Sequence, residues 1–203
     1  MSAAATKTEH PKAPIPVVAI PHLEEFCRQV GIGPAARKLL RPALTPWGYF
    51  GRLLANESYP DAIRFLAHTL SKRSAVWWGA LCVHQAFGSQ LGPKQALALE
   101  AVVRWVREPN ADSAKAAEAA GKAAGIATAA GCLAMSTHWS SLSHTPPEMP
   151  GVPADLLMTA NTIAGVVTMA AAEGPPAEFK ARQRGFLSLG ISVANRELLW
   201  NVS

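Results

Sequence analysis

The sequence predicts an all-α protein, a single-domain multi-helix bundle of about eight to ten helices with a Pro-rich N-terminal tail. Three observations carry that expectation. From residue 22 onward apolar residues recur at three- and four-residue spacing; Pro or Gly stops separate the periodic stretches; and no run alternates with period two for long enough to be a strand. With 203 residues, 49% of them apolar and 16% charged, the chain is long enough to bury one real core.

Taken in order, residues 1–21 carry prolines at 11, 14, 16 and 21 and read as a flexible tail, with the alternative that Ile15, Val17, Val18 and Ile20 lie along the domain as a short apolar strap. Residues 22–203 then read as one helical domain. His22 to Val30 holds Leu23, Phe26 and Val30 at helical spacing, with Glu24 and Glu25 where a helix dipole favours them, and Gly31 ends it. Pro34 opens Ala35 to Leu40, Pro46 and Trp47 open the next stretch, and Asp61 leads into Ala62 to Leu70 with its stripe of Ile63, Leu66, Ala67 and Leu70. Lys72 to Phe87, Pro93 to Arg107, Asp112 to Ala124, Ala127 to Ser141, Pro153 to Ala172 and Ala177 to Trp200 complete the set. Brief connections at 88–92, 108–111 and 173–176 make consecutive helices antiparallel neighbours, whereas the Ser/Pro/Gly segment 140–153 is a surface loop suited to recognition.

Two helices carry peculiar patterns. Gly121, Gly125 and Ala129 recur every fourth residue, a nearly bare face that permits tight packing within the bundle or self-association into a homo-oligomer. Gly125 is also a candidate helix break. In Lys72 to Phe87, one broad face holds Val76, Trp77, Ala80, Leu81, Val83, His84 and Phe87, while Trp78, Cys82 and Gln85 point the other way. Either this helix is central and buried nearly all round, or Trp78 lies at a partner contact. In Pro93 to Arg107, Trp105 falls just off the inward stripe of Leu99, Val102, Val103 and Val106. The last helix sets Phe179, Phe186, Leu189, Val193 and Trp200 on one face, where Gly190 costs roughly 1 kcal/mol relative to Ala and implies a close helix crossing.

The charge balance excludes some functions. Nineteen Lys and Arg against fourteen Asp and Glu give +5, yet the basic residues scatter instead of forming a stripe, so a nucleic-acid partner is not expected. No apolar stretch reaches the ~20 residues of a transmembrane helix. Residues 1–12 lack the apolar core of a signal peptide, and Cys27, Cys82 and Cys132 are odd in number and widely spaced, which fits reduced thiols and a cytoplasmic location.

Catalytic and cofactor motifs do not emerge, so neither catalytic residues nor a cofactor is expected and the sequence reads as non-enzymatic. Gly31 to Ala36 resembles a dinucleotide fingerprint only in spacing, because a helix precedes it and Pro34 removes an amide; it reads as a helix stop followed by a helix start. Cys82 and His84 diverge by about 200° around a helix, and His138 and His144 straddle the start of the loop. A metal or small-molecule site, including that of an enzyme, would need His84 and His138 brought together across helices. Against it stands a protein–protein adaptor, using Lys72, Arg73, Trp77, Trp78 and the 140–153 loop.

The stretches Tyr59 to Ala67, Leu70 to Trp78 and Phe186 to Arg196 resemble an uncharacterised family of bacterial helical proteins, through a Lys-Arg-x-Ala-Val-Trp-Trp signature at 72–78. The resemblance runs from about residue 30 to the C-terminus and leaves the tail outside. It implies a bacterial, cytoplasmic protein, associated with type VI secretion gene clusters and serving as an accessory or adaptor. It supplies no catalytic residue.

Overall fold

Proline placement sets the helix starts. Pro34, Pro46, Pro60 and Pro93 each sit in a first turn, where the missing N–H has no intrahelical partner to lose. The computed structural model describes residue 20, residues 22–141 and residues 154–200, the last from residue 157 for side chains. Apart from Ile20, which is half-buried against the core, the tail expected over 1–21 lies outside the described residues, as does most of the loop expected over 140–153, including His144.

Within them the fold is all-α, with ten α-helices: α1 (Leu23–Gln29), α2 (Pro34–Arg37), α3 (Pro46–Ala55), α4 (Tyr59–Thr69), α5 (Lys72–Phe87), α6 (Pro93–Arg107), α7 (Ala111–Ala124), α8 (Ala129–Ser141), α9 (Ala154–Ala172) and α10 (Phe179–Ala194). Side chains cap several starts. Thr45 Oγ1 accepts from Gly48 N at 3.0 Å, Ser71 Oγ from Ser74 N at 3.1 Å, and Asn110 and Ser113 exchange bonds at 2.9 and 3.2 Å.

Three ends share one backbone motif. A left-handed residue at Gly31, Glu57 or Arg196 folds the chain back, so that the next amide bonds the carbonyl five residues earlier: Ile32 to Cys27, Ser58 to Leu53 and Glu197 to Ser192, each at 2.9 Å. The third case corrects the expected last helix, which stops at Ala194 and does not continue to Trp200.

Helix α5 is the hub, packing on α6, α8, α9 and α10. Helices α6, α7 and α8 follow one another as neighbours across short turns, α8 packs on α9, and α4 packs on α3, α9 and α10. One continuous core runs from Phe26 in α1 to Val193 in α10. Phe65 anchors its α1/α3 side, edge-on to Phe26 at 5.7 Å and to Tyr49 at 5.4 Å. Trp105, expected at a boundary, is 5% exposed and belongs to the core.

The bare face of α7 is used inside the molecule. A Cβ on Gly121 would lie 3.0 Å from the Gly131 carbonyl and 3.1 Å from the Ala134 Cβ, so α7 and α8 approach almost backbone to backbone. Gly125, at φ +87°, ends α7, so the three small residues do not form one continuous helix face.

Trp78 is fully buried, and its indole N–H donates to the Phe186 carbonyl at 2.7 Å. A Cβ on Gly190 would sit 2.8 Å from the Trp78 ring and 2.6 Å from Leu66 Cδ2. This is the close crossing that the sequence implied. Gly190→Ala is therefore expected to destabilise the fold by about 1–3 kcal/mol through overpacking, despite the better helix propensity of Ala. Urea denaturation followed by far-UV circular dichroism checks it, and an unchanged midpoint would contradict the crossing.

Candidate functional site

Lys72 and Arg73 occupy the first turn of α5, the end of a helix whose dipole disfavours cations. Their charged heads serve other helices. Arg73 Nε donates to the Val106 carbonyl at 2.6 Å and its Nη2 to the Arg107 carbonyl at 2.9 Å, capping the C-terminal end of α6. Lys72 Nζ donates to the Ser140 carbonyl at 3.3 Å, at the end of α8 where the 140–153 segment departs. Both cations thus meet the partial negative charge of helix C-termini, worth roughly 0.3–1 kcal/mol each at exposed sites.

The same turn holds the C-terminal segment. The half-buried Trp77 donates its indole N–H to the Leu198 carbonyl at 3.1 Å, and the Arg73 guanidinium lies 4.3 Å from the centre of the Trp200 ring. Leu198 keeps 37% of its surface exposed beside them. Lys72, Arg73 and Trp77 therefore converge on one cationic and aromatic surface with Leu198 and Trp200.

Trp78 does not share it. The expectation that Trp78 contacts a partner is corrected by its complete burial and its bond to α10; of the two readings of this helix, central burial describes Trp78. The inward face of α5 also differs from the one expected: Ala75, Val76, Trp78, Gly79, Ala80, Cys82 and Val83 are buried, while Trp77 and Leu81 are half-buried and His84 is exposed.

The two histidines considered as metal ligands stand in different surroundings. His84 lines an open cleft of about 750 Å³ between α5 and α6, with Leu99 and Val103 among its apolar walls and Glu100 and Arg104 among its charged ones. His138, on α8, has its Nε2 3.6 Å from Glu118 Oε2 on α7, and its Nδ1 is buried with no partner. The Lys122 ammonium, followed by His138, holds the Glu118 carboxyl below its ordinary range. Among the described residues no group of three or more His, Cys, Asp or Glu side chains is placed to hold a metal ion.

The thiols are poor nucleophiles in their surroundings. Burial pushes Cys27 up to about 11, and raises Cys82 and Cys132 above the ordinary thiol value. All three are free thiols. The Gly31 to Ala36 turn is a helix stop and start, and the Gly33 amide is taken by Asp61 Oδ1 at 2.7 Å, leaving it no phosphate to bind.

His68 escaped the sequence reading. It sits in the buried part of α4, with Nε2 3.1 Å from Asn161 Oδ1 on α9, and burial holds its pKa below the ordinary 6.5, the Arg64 guanidinium one turn earlier adding to the effect. Its signal was invisible because the acceptor lies 93 residues away.

An all-helical bundle with a cationic and aromatic surface at one end of α5 is the class that the fold and this surface define. The model of the family of unknown function DUF6931 matches residues 49–194, and the chain belongs to that family. The match begins later than the expected residue 30 and ends before the C-terminal segment. No curated protein and no solved structure matches the chain. Among the described residues no helix is long and apolar enough to cross a membrane.

His68 makes stability depend on pH. The unfolded chain binds a proton at higher pH than the folded one, so stability falls as pH drops below about 6.5, by at most ~1.4 kcal/mol per pH unit from this group. Urea midpoints at pH 7.5 and 5.5 should differ more in the wild type than in His68→Gln, which retains an N–H for Asn161; equal differences would remove His68 as the cause.

Proposed function

We propose that this protein is a non-enzymatic bacterial adaptor that binds another protein through the N-terminal end of α5, as an accessory to type VI secretion in the cytoplasm. The observation that supports the binding role is the convergence of Lys72, Arg73 and Trp77 with the partly exposed Leu198 on one surface. Trp and Arg supply much of the binding energy in protein interfaces, because each couples a large apolar area to directional donors. The secretion role, the bacterial source and the compartment rest on the sequence resemblance alone.

The test compares wild type with Trp77→Ala and Lys72→Ala in quantitative pull-downs from lysate of the native host. Each variant, folded by circular dichroism, should lose one specific protein by about tenfold or more, the effect of removing an interface anchor. Equal recovery would return these residues to a purely structural role.

A second reading, a small-molecule or metal-binding bundle, draws support from the cleft beside His84, whose volume of about 750 Å³ falls in the range of ligand pockets. Under that reading, untagged protein carries stoichiometric metal or a co-purifying small molecule that is lost in His84→Ala. A chelator-indifferent, substoichiometric metal signal with no small molecule by mass spectrometry would end it.

A further inference from the structure

The C-terminal segment lies beyond the stretch matched by the family model, yet it occupies the surface on α5 that the adaptor reading assigns to a partner. Its mode of attachment specifies a chemistry. Trp77 offers one indole N–H, and what it receives is a main-chain carbonyl, that of Leu198. Arg73 has Nε and Nη2 committed in its own plane to the carbonyls of Val106 and Arg107, so its plane is fixed and one face of it meets the C-terminal segment. A fixed guanidinium face selects an aromatic ring, and the ring it holds is Trp200, two residues beyond the bonded carbonyl.

We propose that the N-terminal end of α5 is a peptide-recognition platform for a partner segment carrying an aromatic residue two positions after the carbonyl that Trp77 binds, and that residues 197–200 act as a displaceable latch occupying it. This rests on the adaptor reading of the same surface. The latch is built to open. Its helix has already ended at Ala194, the turn passes through a left-handed Arg196, and Leu198 is 37% exposed, whereas the platform beneath it is fixed by α6 and α8. An intramolecular segment competes at the high effective concentration of a tethered ligand, so a partner peptide binds the closed form weakly and the opened form well.

The probe is a synthetic peptide of residues 195–200, acetylated and amidated to remove its terminal charges, titrated by calorimetry into the full chain. Trp200→Ala, which empties the ring position on Arg73, should bind the peptide at least about tenfold more tightly than wild type. Adding Trp77→Phe, which keeps an aromatic ring and deletes the N–H, should weaken that binding by about fivefold or more. Equal affinity in wild type and Trp200→Ala, no binding to a folded Trp200→Ala, or indifference to Trp77→Phe would each overturn the proposal.

Hydrogen exchange on the wild type guards against misfolding of a variant. The amides of Glu197 and Leu198, both bonded to the Ser192 carbonyl, should exchange at least about a hundredfold faster than the buried α5 amides, and equal protection would overturn the latch. Peptide binding without a lysate partner would leave the platform standing and sink the adaptor role; a lysate partner without peptide binding would do the reverse.

Discussion

The Trp78 indole N–H reaches the Phe186 carbonyl inside the bundle, and most of the architecture follows from accommodating that bond. A buried indole needs an acceptor, and the surrounding core supplies mostly hydrocarbon. The acceptor is a helix-interior carbonyl four residues before Gly190, so it lies under the position where a Cβ would block the ring. Glycine at 190 thus gives up helix propensity to let the indole sit against the α10 backbone. With α10 pinned there, Leu66 of α4 closes over the same glycine, and α4 and α5 share both α9 and α10 as packing partners. A central helix apolar on all sides requires such an arrangement, because each of its faces must find a neighbour.

Two of the scattered basic residues have a structural use. Arg73 caps the end of α6, and Arg182 does the same for α9, donating from Nε to the Ala171 carbonyl at 2.7 Å and from Nη2 to the Pro175 carbonyl at 2.9 Å. Terminal carbonyls have no intrahelical donors, and a guanidinium satisfies two at once while meeting the negative end of the dipole. Placing Arg73 at the start of α5 sets its charge against the dipole of its own helix, a cost that the end of α6 offsets.

Helix starts were legible because proline and capping residues act locally: Lys72–Phe87 and Pro93–Arg107 emerge with the boundaries that the sequence suggested. Helix stops were legible where glycine made them, at Gly31 and Gly125, and hidden where another residue took the left-handed position. Arg196 carries no stop signal, so α10 ran on to Trp200 in the sequence reading. The orientation of α5 was hidden for a different reason. Apolar residues all round give no stripe to orient it, so Trp78 could be read as core or as a contact; Trp78 is core, and Trp77, placed on the inward face, is half-buried at the surface. Lys72, Arg73 and Trp77 could be singled out by composition, but their partners in α6, α8 and the C-terminal segment lie 33 to 121 residues away and left no local trace.

The two flanks of the family-matched stretch attach to it by opposite means. On the N-terminal side, Phe26, Cys27, Val30, Ile32 and Ala36 are all buried in the common core, and polar bonds only register them: Gly33 N–H to Asp61, and the Tyr49 hydroxyl to the Ala36 carbonyl at 3.0 Å. Removing that flank would expose the aromatic cluster around Phe65, a loss of several buried side chains at ~1.5–3 kcal/mol each. On the C-terminal side the order is inverted. Leu198 is 37% exposed and Trp200 is half-buried against the edge of the core, and the segment is further held by one indole hydrogen bond, one cation–π contact and the turn at Arg196. Such contacts contribute ~0.5–1.5 kcal/mol each when partly solvated, which orders a segment without committing it. The N-terminal flank is therefore part of the fold, and the C-terminal flank is held against it by fewer, half-buried contacts.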